Sequence, residues 1–556
     1  MTNARARSIR RSAGLAGALA AALVLAGCAG PPAPPGGRYG DLVTLFREWR
    51  EFQKPGVADH VPDYTAAAMR AQHRRLADFQ ARLAAFDVSG WPVADQVDFH
   101  LVRAEMNGLD FDHRVLRPWS RNPCFYTVVY PSPTDVPARE GPVMHGAIEL
   151  WQYPFPLAPD RLAELEARLG AIPAILDQAK TNLVFGATDL WRLGIREAGR
   201  ERAALAALAG RAAGPHPELV PVIERASAAV ADFQAWLEAR HKTMIQPSGI
   251  GVGNYDWYMK NVHLVPYTWA QQVAIIEREL DRAWSQLKLE EARNQSLPPL
   301  EPAASPEAYH ERFVAAARDF VGFLRSREIF TVPDYALDAL VAREGGFVPP
   351  TRLRDFFTQV ELRDSHPMRA HGMHWIDLAR MAREPHPSPI RREPLLYNIW
   401  DMRAEGYATG MEELALQAGY LDDRPRAREL VYIMLANRAA RAMGDLKMHS
   451  GEFSLDDAIA FAVDRTPYGW LSPEGNTVWF DEQLYLGQPG YGTSYVVGKV
   501  HIDRLLADRA RQQGERFSLR ETLDAFHGAG LIPVSLIRWE LTGLDDEVGR
   551  LFAPRR

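Results

Sequence analysis

The chain has 556 residues, of which 47% are hydrophobic, 10% aromatic and 24% charged. This is the composition of a globular protein with a large core, and it excludes intrinsic disorder. The formal net charge of −6 includes four arginines in the first eleven residues, so the rest of the chain is more acidic still. Because phosphate binding relies on clustered positive charge, we expect no nucleic-acid partner.

Residues 1–27 have the pattern of a bacterial lipoprotein signal peptide. The four arginines precede a run of small, apolar residues, and no acidic residue occurs before Asp41. Leu25-Ala26-Gly27-Cys28 then resembles a lipobox, whose cysteine becomes the lipidated N-terminus. The alternative is a transmembrane anchor, but the apolar run 13–26 is shorter than the ~20 residues that a membrane span needs.

A lipidated Cys28 would attach the protein to a membrane of the bacterial cell envelope. The residue after it is Ala29, which by analogy predicts the periplasmic face of the outer membrane. Residues 28–40 are rich in Pro and Gly and indicate a tether. Cys124 is the only other cysteine, so no internal disulfide is expected, and its apolar neighbours favour packing over a nucleophilic role.

Helical periodicity dominates the rest of the chain. One predicted helix face in 162–183 consists of Leu162, Leu165, Leu169, Ile172, Leu176, Ala179 and Leu183. Similar patterns occur in 69–86 and 219–237, whereas only 125–130 and 476–480 have the composition of strands. The fold class is therefore predicted to be mainly α with minor β elements.

Residues 244–261 contain a proline and three glycines and interrupt two helical regions. We therefore divide a single domain, 41–556, into an N-terminal lobe of about 41–245 and a C-terminal lobe of about 250–556. A Rossmann or P-loop fold is not expected, because "GIGVGNYD" lacks the third glycine in register and no βαβ unit surrounds it.

A cluster of histidines marks the C-terminal region. Residues 366–386 contain His366, His371, His374 and His386. If 368–382 is helical, His371 and His374 share one face, and Asp377 continues that face one turn later. Such a face could supply two imidazoles to a metal such as zinc. The alternative is a solvated or hydrogen-bonded histidine face.

The next predicted helix, 398–420, offers carboxylates. Glu405 and Glu412 share a face, and Glu405 could complete a His371, His374 and Glu405 metal site. Gly406 would let another helix approach closely. The alternative for Glu405 is an ion pair with one of the many arginines.

Three segments carry a resemblance to a known family. They are "RAEMNGLDFDHRVLRPWSRNPCFY" (103–126), "AEGYATGMEELALQAGY" (404–420) and "PGYGTSYVVGKVHIDRLLADRA" (489–510), the last followed by "FHGAGLIPVSLI" (526–537). From about residue 41 onward, the chain resembles the bacterial domain of unknown function 885 family, which is grouped with zincin-like metallopeptidases. The resemblance implies a two-lobed helical fold with a central cleft, a zinc cofactor and a peptide substrate.

The motif H-E-x-x-P-G-H-H of that family is degenerate in this chain. Aligned on its glycine, the positions of His, Glu and the last two His are occupied by Pro367, Met368, Met373 and His374. A one-residue insertion recovers His366 as the first ligand. No glutamate lies between Glu361 and Glu384, so the usual general base is absent from this segment.

The resemblance also implies roles for two residues nearer the C-terminus. Tyr495 would face the cleft and donate a hydrogen bond to a developing oxyanion, unless it only packs between helices. His527 would support the site rather than act in catalysis. Alternatively, "PGYGTSY" is a loop before a helix that Thr493 or Ser494 caps.

Three functions follow from these patterns. The first is a catalytically impaired lipoprotein that binds a peptide or an envelope partner in its cleft, and the missing base favours it narrowly. The second is an active metal-dependent peptidase or hydrolase with a rearranged His/His/Glu site, in which Asp377 or Glu412 acts as the base. The third, a non-metal hydrolase, lacks a G-x-S-x-G elbow and a credible triad.

Overall fold

The structure is a computed structural model that describes residues 37–552. The predicted signal peptide, Cys28 and most of the tether lie outside these residues. The described part is mainly α-helical with few strand residues, which confirms the prediction of a mainly α fold. Within residues 37–552, no helix combines the length and the apolar character that a membrane span requires.

The first part of the chain contains α1 (Tyr39–Phe52), α2 (Ala66–Ala84), α3 (Val93–Phe111), α4 (Pro118–Arg121), α5 (Pro159–Asn182), α6 (Thr188–Ala212), α7 (Val220–Arg240) and α8 (Val252–Asn261). It continues with α9 (Trp269–Arg293), α10 (Pro306–Ser326), α11 (Ala336–Val341), α12 (Phe356–Arg363), α13 (His366–His371), α14 (Met373–Arg383) and α15 (Asp401–Gln417). The last helices are α16 (Pro425–Ser450), α17 (Leu455–Arg465), α18 (Asn476–Gly487), α19 (Tyr491–Gln513), α20 (Leu519–Gly528), α21 (Val534–Thr542) and α22 (Asp546–Phe552).

Four short strands form two pairs. Strands β1 (Val57–Ala58) and β2 (Val61–Pro62) are antiparallel, with Val57 opposite Pro62. Strands β3 (Val129–Tyr130) and β4 (Ile148–Glu149) are parallel, with Val129 opposite Ile148. The loop between β3 and β4, residues 131–147, is named the 131–147 loop below.

The periodic patterns identified three helices correctly, because α2, α5 and α7 bury the predicted apolar faces. Two strand predictions were wrong in whole or in part. Residues 476–480 begin α18, whose Val478, Leu484 and Tyr485 are buried. Of 125–130, only the last two residues form a strand. Short β-branched and aromatic runs do not separate a strand from a buried helix.

Helix α16 lies at the centre of the C-terminal region and is buried on all sides. A helix that is enclosed in this way needs neighbours around its whole circumference, and α9, α17 and α19 supply them. Beside it, α15 packs against α19 where two glycines, Gly406 and Gly498, face each other. A Cβ on Gly406 would lie 2.5 Å from the Cα of Gly498, which confirms the predicted close approach.

Hydrogen bonds tie the 131–147 loop to the C-terminal region. The Gly141 N–H donates to Gln488 Oε1 at 2.8 Å, and the Asn398 side-chain amide donates to the same oxygen at 2.7 Å. At the other end, the His145 N–H donates to the hydroxyl of Tyr64 at 2.8 Å. The loop is therefore held between the N-terminal helices and α18.

Candidate metal site

Three predicted residues meet in the interior. One ligand atom from each of His371, His374 and Glu405 lies within 4.8 Å of the other two. His374 Nε2 is 3.0 Å from Glu405 Oε2. The ring centroids of His371 and His374 are 4.9 Å apart. Within residues 37–552, no other group of three metal-ligand side chains meets this criterion.

A break in the helix brings the two histidines together. Residues 368–382 do not form one helix, because α13 ends at His371 and α14 begins at Met373. Gly372 occupies the junction, where a Cβ would lie 2.6 Å from Leu340 Cδ2. The prediction of a continuous helix was therefore wrong. Both short helices pack against α15, which carries Glu405.

The charges of His374 and Glu405 stabilise each other. Burial lowers the pKa of His374, but the charge of Glu405 and the hydrogen bond to it outweigh burial and raise that pKa to about 9. Burial raises the pKa of Glu405, but His374 more than offsets this and lowers it to about 2. The hydroxyl of Tyr491 donates to Glu405 Oε1 at 2.5 Å. Glu405 therefore pairs with a histidine and a tyrosine rather than with arginine.

His371 also contacts two polar side chains outside this group of three. Its Nδ1 lies 3.0 Å from Glu412 Oε1 and 3.1 Å from Arg438 Nη2. Arg438 also donates to the other oxygen of Glu412 at 2.7 Å. Burial, followed by the charge of Arg438, holds the pKa of His371 well below its usual value, so the imidazole is neutral. A carboxylate beside a histidine ligand is the usual means of fixing its orientation.

The donor set fits a divalent metal such as zinc. Two imidazoles and one carboxylate are ligands that zinc binds in catalytic sites. His371 is already neutral and Glu405 is already ionised. Metal binding would require only that His374 release its proton, which is the ordinary cost of loading a histidine site.

The other candidate residues lie in separate networks. His366 contacts Asp364 at 2.7 Å and Asp319 at 3.1 Å. Asp377 forms an ion pair with Arg403 at 2.9 Å. These contacts keep His366 and Asp377 out of the group formed by His371, His374 and Glu405.

His527 and Tyr495 contact different residues of the α15 and α19 pair. His527 Nε2 is 2.9 Å from the hydroxyl of Tyr407, which follows Glu405 on α15. Tyr495 is half-buried, and its ring lies edge-on to Tyr491 at 6.0 Å. His527 thus contacts the helix that carries Glu405, and Tyr495 lies one turn after the tyrosine that contacts Glu405.

The start of α19 differs from the prediction. The helix begins at Tyr491, so Thr493 and Ser494 lie inside its first turn and are not its caps. The buried carboxylate of Asp445 on α16 accepts the N–H groups of Gly490 and Thr493 instead. A cap supplied by a distant helix leaves no local pattern in the sequence.

Two carboxylates of the 131–147 loop also act on this site, and the sequence did not indicate them. The charge of Asp135 contributes to raising the pKa of His374. Burial, followed by the charge of Asp135, raises the pKa of Glu140 to about 7. Both residues line a cavity of about 440 Å³ together with Trp375, the neighbour of His374. No motif around them marks a site, because only the fold places this loop there.

The fold and the site define a large, mainly helical protein with a buried His/His/Glu group of the metal-ligand type. The chain belongs to a family of bacterial proteins of unknown function, DUF885, whose profile matches residues 50–336 and 374–541. The match omits 337–373, which contains His366 and His371, and resumes at His374. No curated protein matches the chain.

Two solved structures share the fold. One is a protein from Shewanella oneidensis, provisionally described as a lipoprotein of unknown function, with 16% sequence identity and a TM-score of 0.65 over 90% of this chain and 97% of that chain. The other, from Colwellia psychrerythraea, is also provisionally described as a lipoprotein. It has 13% identity and a TM-score of 0.62 over 91% of this chain and 98% of that chain. At this identity, the likeness concerns the fold.

Proposed function

We propose that the protein is a metal-dependent hydrolase of peptides, anchored in the bacterial cell envelope through Cys28. The observation that carries the proposal is the convergence of His371, His374 and Glu405 within 4.8 Å. The description of two structural neighbours as lipoproteins supports the anchor. The zincin-like arrangement of two lobes, 41–245 and 250–556, around a substrate cleft is part of this proposal.

In this proposal, His371, His374 and Glu405 hold the metal. A divalent metal held there would supply a water molecule of lowered pKa and a Lewis acid for the scissile carbonyl. Glu412 orients His371, and the hydroxyl of Tyr491 orients Glu405. These buried partners fix the ligands before substrate arrives, so little reorganisation is needed at the site.

The 131–147 loop offers a proton acceptor in place of the missing motif glutamate. Asp135 and Glu140 line the cavity beside Trp375, and the pKa of Glu140 is about 7. A carboxyl group that titrates near neutral pH can accept a proton from water and return it to the leaving amine. Glu412 suits this role less well, because its carboxylate is paired with Arg438.

A second candidate is a metal-binding protein that captures a peptide or an envelope partner without cleaving it. Pro367 and Met368 occupy the motif positions where the first ligand and the base are expected, and the family profile skips this segment. Losing a general base typically costs 10²–10⁴-fold in rate. This candidate retains the metal site and differs from the first only in turnover.

The first experiment measures metal content by inductively coupled plasma mass spectrometry. The sample is the full chain, purified in detergent without a His-tag or a chelator and then supplemented with zinc. We expect about one zinc per chain for the wild type and almost none for His374→Ala, because that variant removes a central ligand. His366→Ala is the matched control, since it removes a buried histidine of the same segment that contacts other partners.

A wild-type chain that stays free of metal after supplementation would overturn both candidates. Where metal is bound, cleavage of a fluorogenic peptide mixture separates them. Turnover that His374→Ala abolishes and His366→Ala preserves supports the hydrolase. Peptide binding without turnover supports the second candidate.

A further inference from the structure

A second cavity, of about 480 Å³, lies on the other side of the 131–147 loop. Its wall is formed in part by the end of α3 and by the segment 394–398 before α15. The aromatic side chains that line it are Tyr64, Trp119, Phe125, Tyr258 and Tyr397. It is an aromatic pocket, and it contains one acidic residue, Asp112.

The Asp112 carboxylate has no partner in the described part of the chain. Among residues 37–552, no side chain or backbone group donates a hydrogen bond to it and none forms an ion pair with it. Burial alone raises its pKa to about 8. Burial is the main cause of the raised pKa values of Tyr258 and Tyr397, and the charge of Asp112 is the second cause for both. Asp112 and both tyrosines line the same cavity.

The other ionisable groups that line this cavity do not neutralise Asp112. Arg139 lies 3.7 Å from Glu149 and donates to the Ser132 carbonyl at 2.6 Å. Burial, followed by the charge of Lys54, lowers the pKa of His145, so its imidazole is neutral. Asp112 is consequently the one carboxyl group that lines this cavity, and it has no counter-ion within the described residues.

The backbone around this cavity is held in unusual conformations. Asp112 begins a π-helical turn, 112–116, and Arg117 after it has a φ of 44°. Across the cavity, Tyr397 and Asn398 have φ values of 59° and 51°. Left-handed conformations cost about 1–3 kcal/mol each and concentrate, like π-helical turns, at functional sites.

Packing enforces the conformation of Tyr397. Its ring lies against Gly108, where a Cβ would come within 2.3 Å of the ring. Asn398 is tied to Gln488 by the same hydrogen-bond network that holds the 131–147 loop. The fold thus keeps an aromatic ring and an unpartnered carboxylate in the lining of one cavity, at a cost in backbone strain.

We propose that this cavity binds an alkylammonium group, with Asp112 as its counter-ion and the surrounding aromatic rings as its walls. A carboxylate attracts the ammonium charge, and the faces of aromatic rings bind cations by about 0.5–2 kcal/mol each. In a peptide, this chemistry belongs to a lysine side chain or to a free N-terminus. Both sources present the same group to Asp112.

The cavity and the candidate metal site flank the same loop. Both the 480 Å³ cavity and the 440 Å³ cavity are lined by Arg139, Gly141, Pro142 and Val143 of the loop and by Gly487. If the chain is a peptide hydrolase, the Asp112 cavity selects substrates that carry an ammonium group. This selection rests on the proposed function, whereas ammonium binding itself does not.

Isothermal titration calorimetry on the full chain in detergent tests the proposal. The probes are N-acetyl-lysine amide, alanine amide and the neutral N-acetyl-norleucine amide. We expect at least one ammonium probe to bind ten times more tightly than the norleucine probe, and the stronger of the two identifies the source. Asp112→Asn should lose at least tenfold in affinity for that probe.

Two further variants keep the test interpretable. Asp110→Asn removes a carboxylate of the same helix that already pairs with Arg114, and it should bind as the wild type does. Tyr397→Leu removes one aromatic face and should weaken binding two- to tenfold, which tests the site even if Asp112→Asn fails to fold. If neither ammonium probe binds more tightly than the norleucine probe, or if binding is unchanged in both Asp112→Asn and Tyr397→Leu, the proposal is overturned.

The His374→Ala variant separates this proposal from the proposed function. It should lose metal and still bind the ammonium probe with wild-type affinity. If the wild type binds no metal but binds the probe, the proposed function fails and the Asp112 site stands. If it binds metal but no probe, the reverse holds.

Discussion

Glu405 is a buried carboxylate and Asp112 is a half-buried one, and their surroundings are opposite. Glu405 accepts from His374 and Tyr491, and these contacts lower its pKa to about 2. Asp112 has no partner among residues 37–552, and burial raises its pKa to about 8. At Glu405 the chain itself provides the positive partner, His374. At Asp112 a bound ligand would have to provide it.

The difference shows what each site can bind. The Glu405 site is already full of polar partners, so a metal would replace a proton within a group that is otherwise satisfied. The Asp112 site lacks a cation. Among residues 37–552, no tyrosine of its aromatic lining donates a hydrogen bond to the carboxylate in place of one. Removing Glu405 should therefore damage the folded protein, whereas removing the charge of Asp112 should relieve it.

The largest effect is expected for Glu405→Gln. This change leaves the buried His374 without its charged partner, and breaking a buried pair from one side costs about 3–5 kcal/mol. It should also reduce zinc affinity by at least 100-fold, because a carboxylate ligand becomes an amide. Urea denaturation and metal content measure the two effects.

Glu413→Gln is the matched control for that prediction. Glu413 lies on the same helix and forms ion pairs with Arg282 and Lys499, each at 2.7 Å. It should lose stability comparably but retain the metal. Equal metal loss in both variants would indicate that a general weakening of α15, and not the ligand itself, explains the result.

Two glycine variants compare the rigidity of the two sites. A Cβ on Gly406 would meet the backbone of Gly498 at 2.5 Å, so α15 and α19 would have to separate. A Cβ on Gly108 would first meet the ring of Tyr397, and a side chain beside a cavity shifts more readily than backbone. We expect Gly406→Ala to lose more than about 3 kcal/mol and Gly108→Ala about 1–2 kcal/mol.

Chemical denaturation of both variants measures this difference, and probe binding adds a second reading. Gly108→Ala should weaken ammonium binding because the displaced ring occupies the cavity, but its metal content should stay at the wild-type level. If Gly108→Ala loses as much stability as Gly406→Ala, the expectation is wrong, and the Tyr397 ring resists displacement as strongly as the backbone of Gly498 does.

Much of the fold follows from the sequence, because the helices with regular apolar spacing bury one face. The periodic residues of 162–183 are an example, and the structure has α5 at Pro159–Asn182. Periodicity failed where the burial is not one-sided, as in 476–480. It also could not locate the break at Gly372, which depends on contact with Leu340, a residue far away in the sequence.

The two sites differ in how far the sequence reveals them. His371, His374 and Glu405 stand out by residue type and spacing, so they could be grouped before the structure was known. Asp112 and Asp135 are ordinary acidic residues with no motif around them. Asp135 matters because the fold brings its charge near His374, and Asp112 matters because the described residues provide no partner for it. No local sequence pattern encodes either relation.

A pH-dependent effect, smaller than that of Gly406→Ala, is expected for the stability of Asp112→Asn. The folded-state pKa of Asp112 is about 8 and its usual value is 3.8, so the folded chain holds this proton more tightly than the unfolded chain does. The cost of ionising Asp112 is therefore absent below about pH 4 and grows until about pH 8. Asparagine carries no such cost. Relative to the wild type, Asp112→Asn should gain about 2 kcal/mol in unfolding free energy between pH 5 and pH 8, less than full burial implies because the cavity side of the carboxylate is open.

Urea denaturation at several pH values between 5 and 8 measures that gain, and Asp110→Asn removes the same charge from a residue that pairs with Arg114. A saturating ammonium probe sharpens the comparison, because a ligand that binds the ionised carboxylate offsets its cost in the folded state. The advantage of Asp112→Asn at pH 8 should then shrink. If the difference between wild type and Asp112→Asn does not change with pH, a partner already neutralises Asp112. The contrast with Glu405 would then disappear.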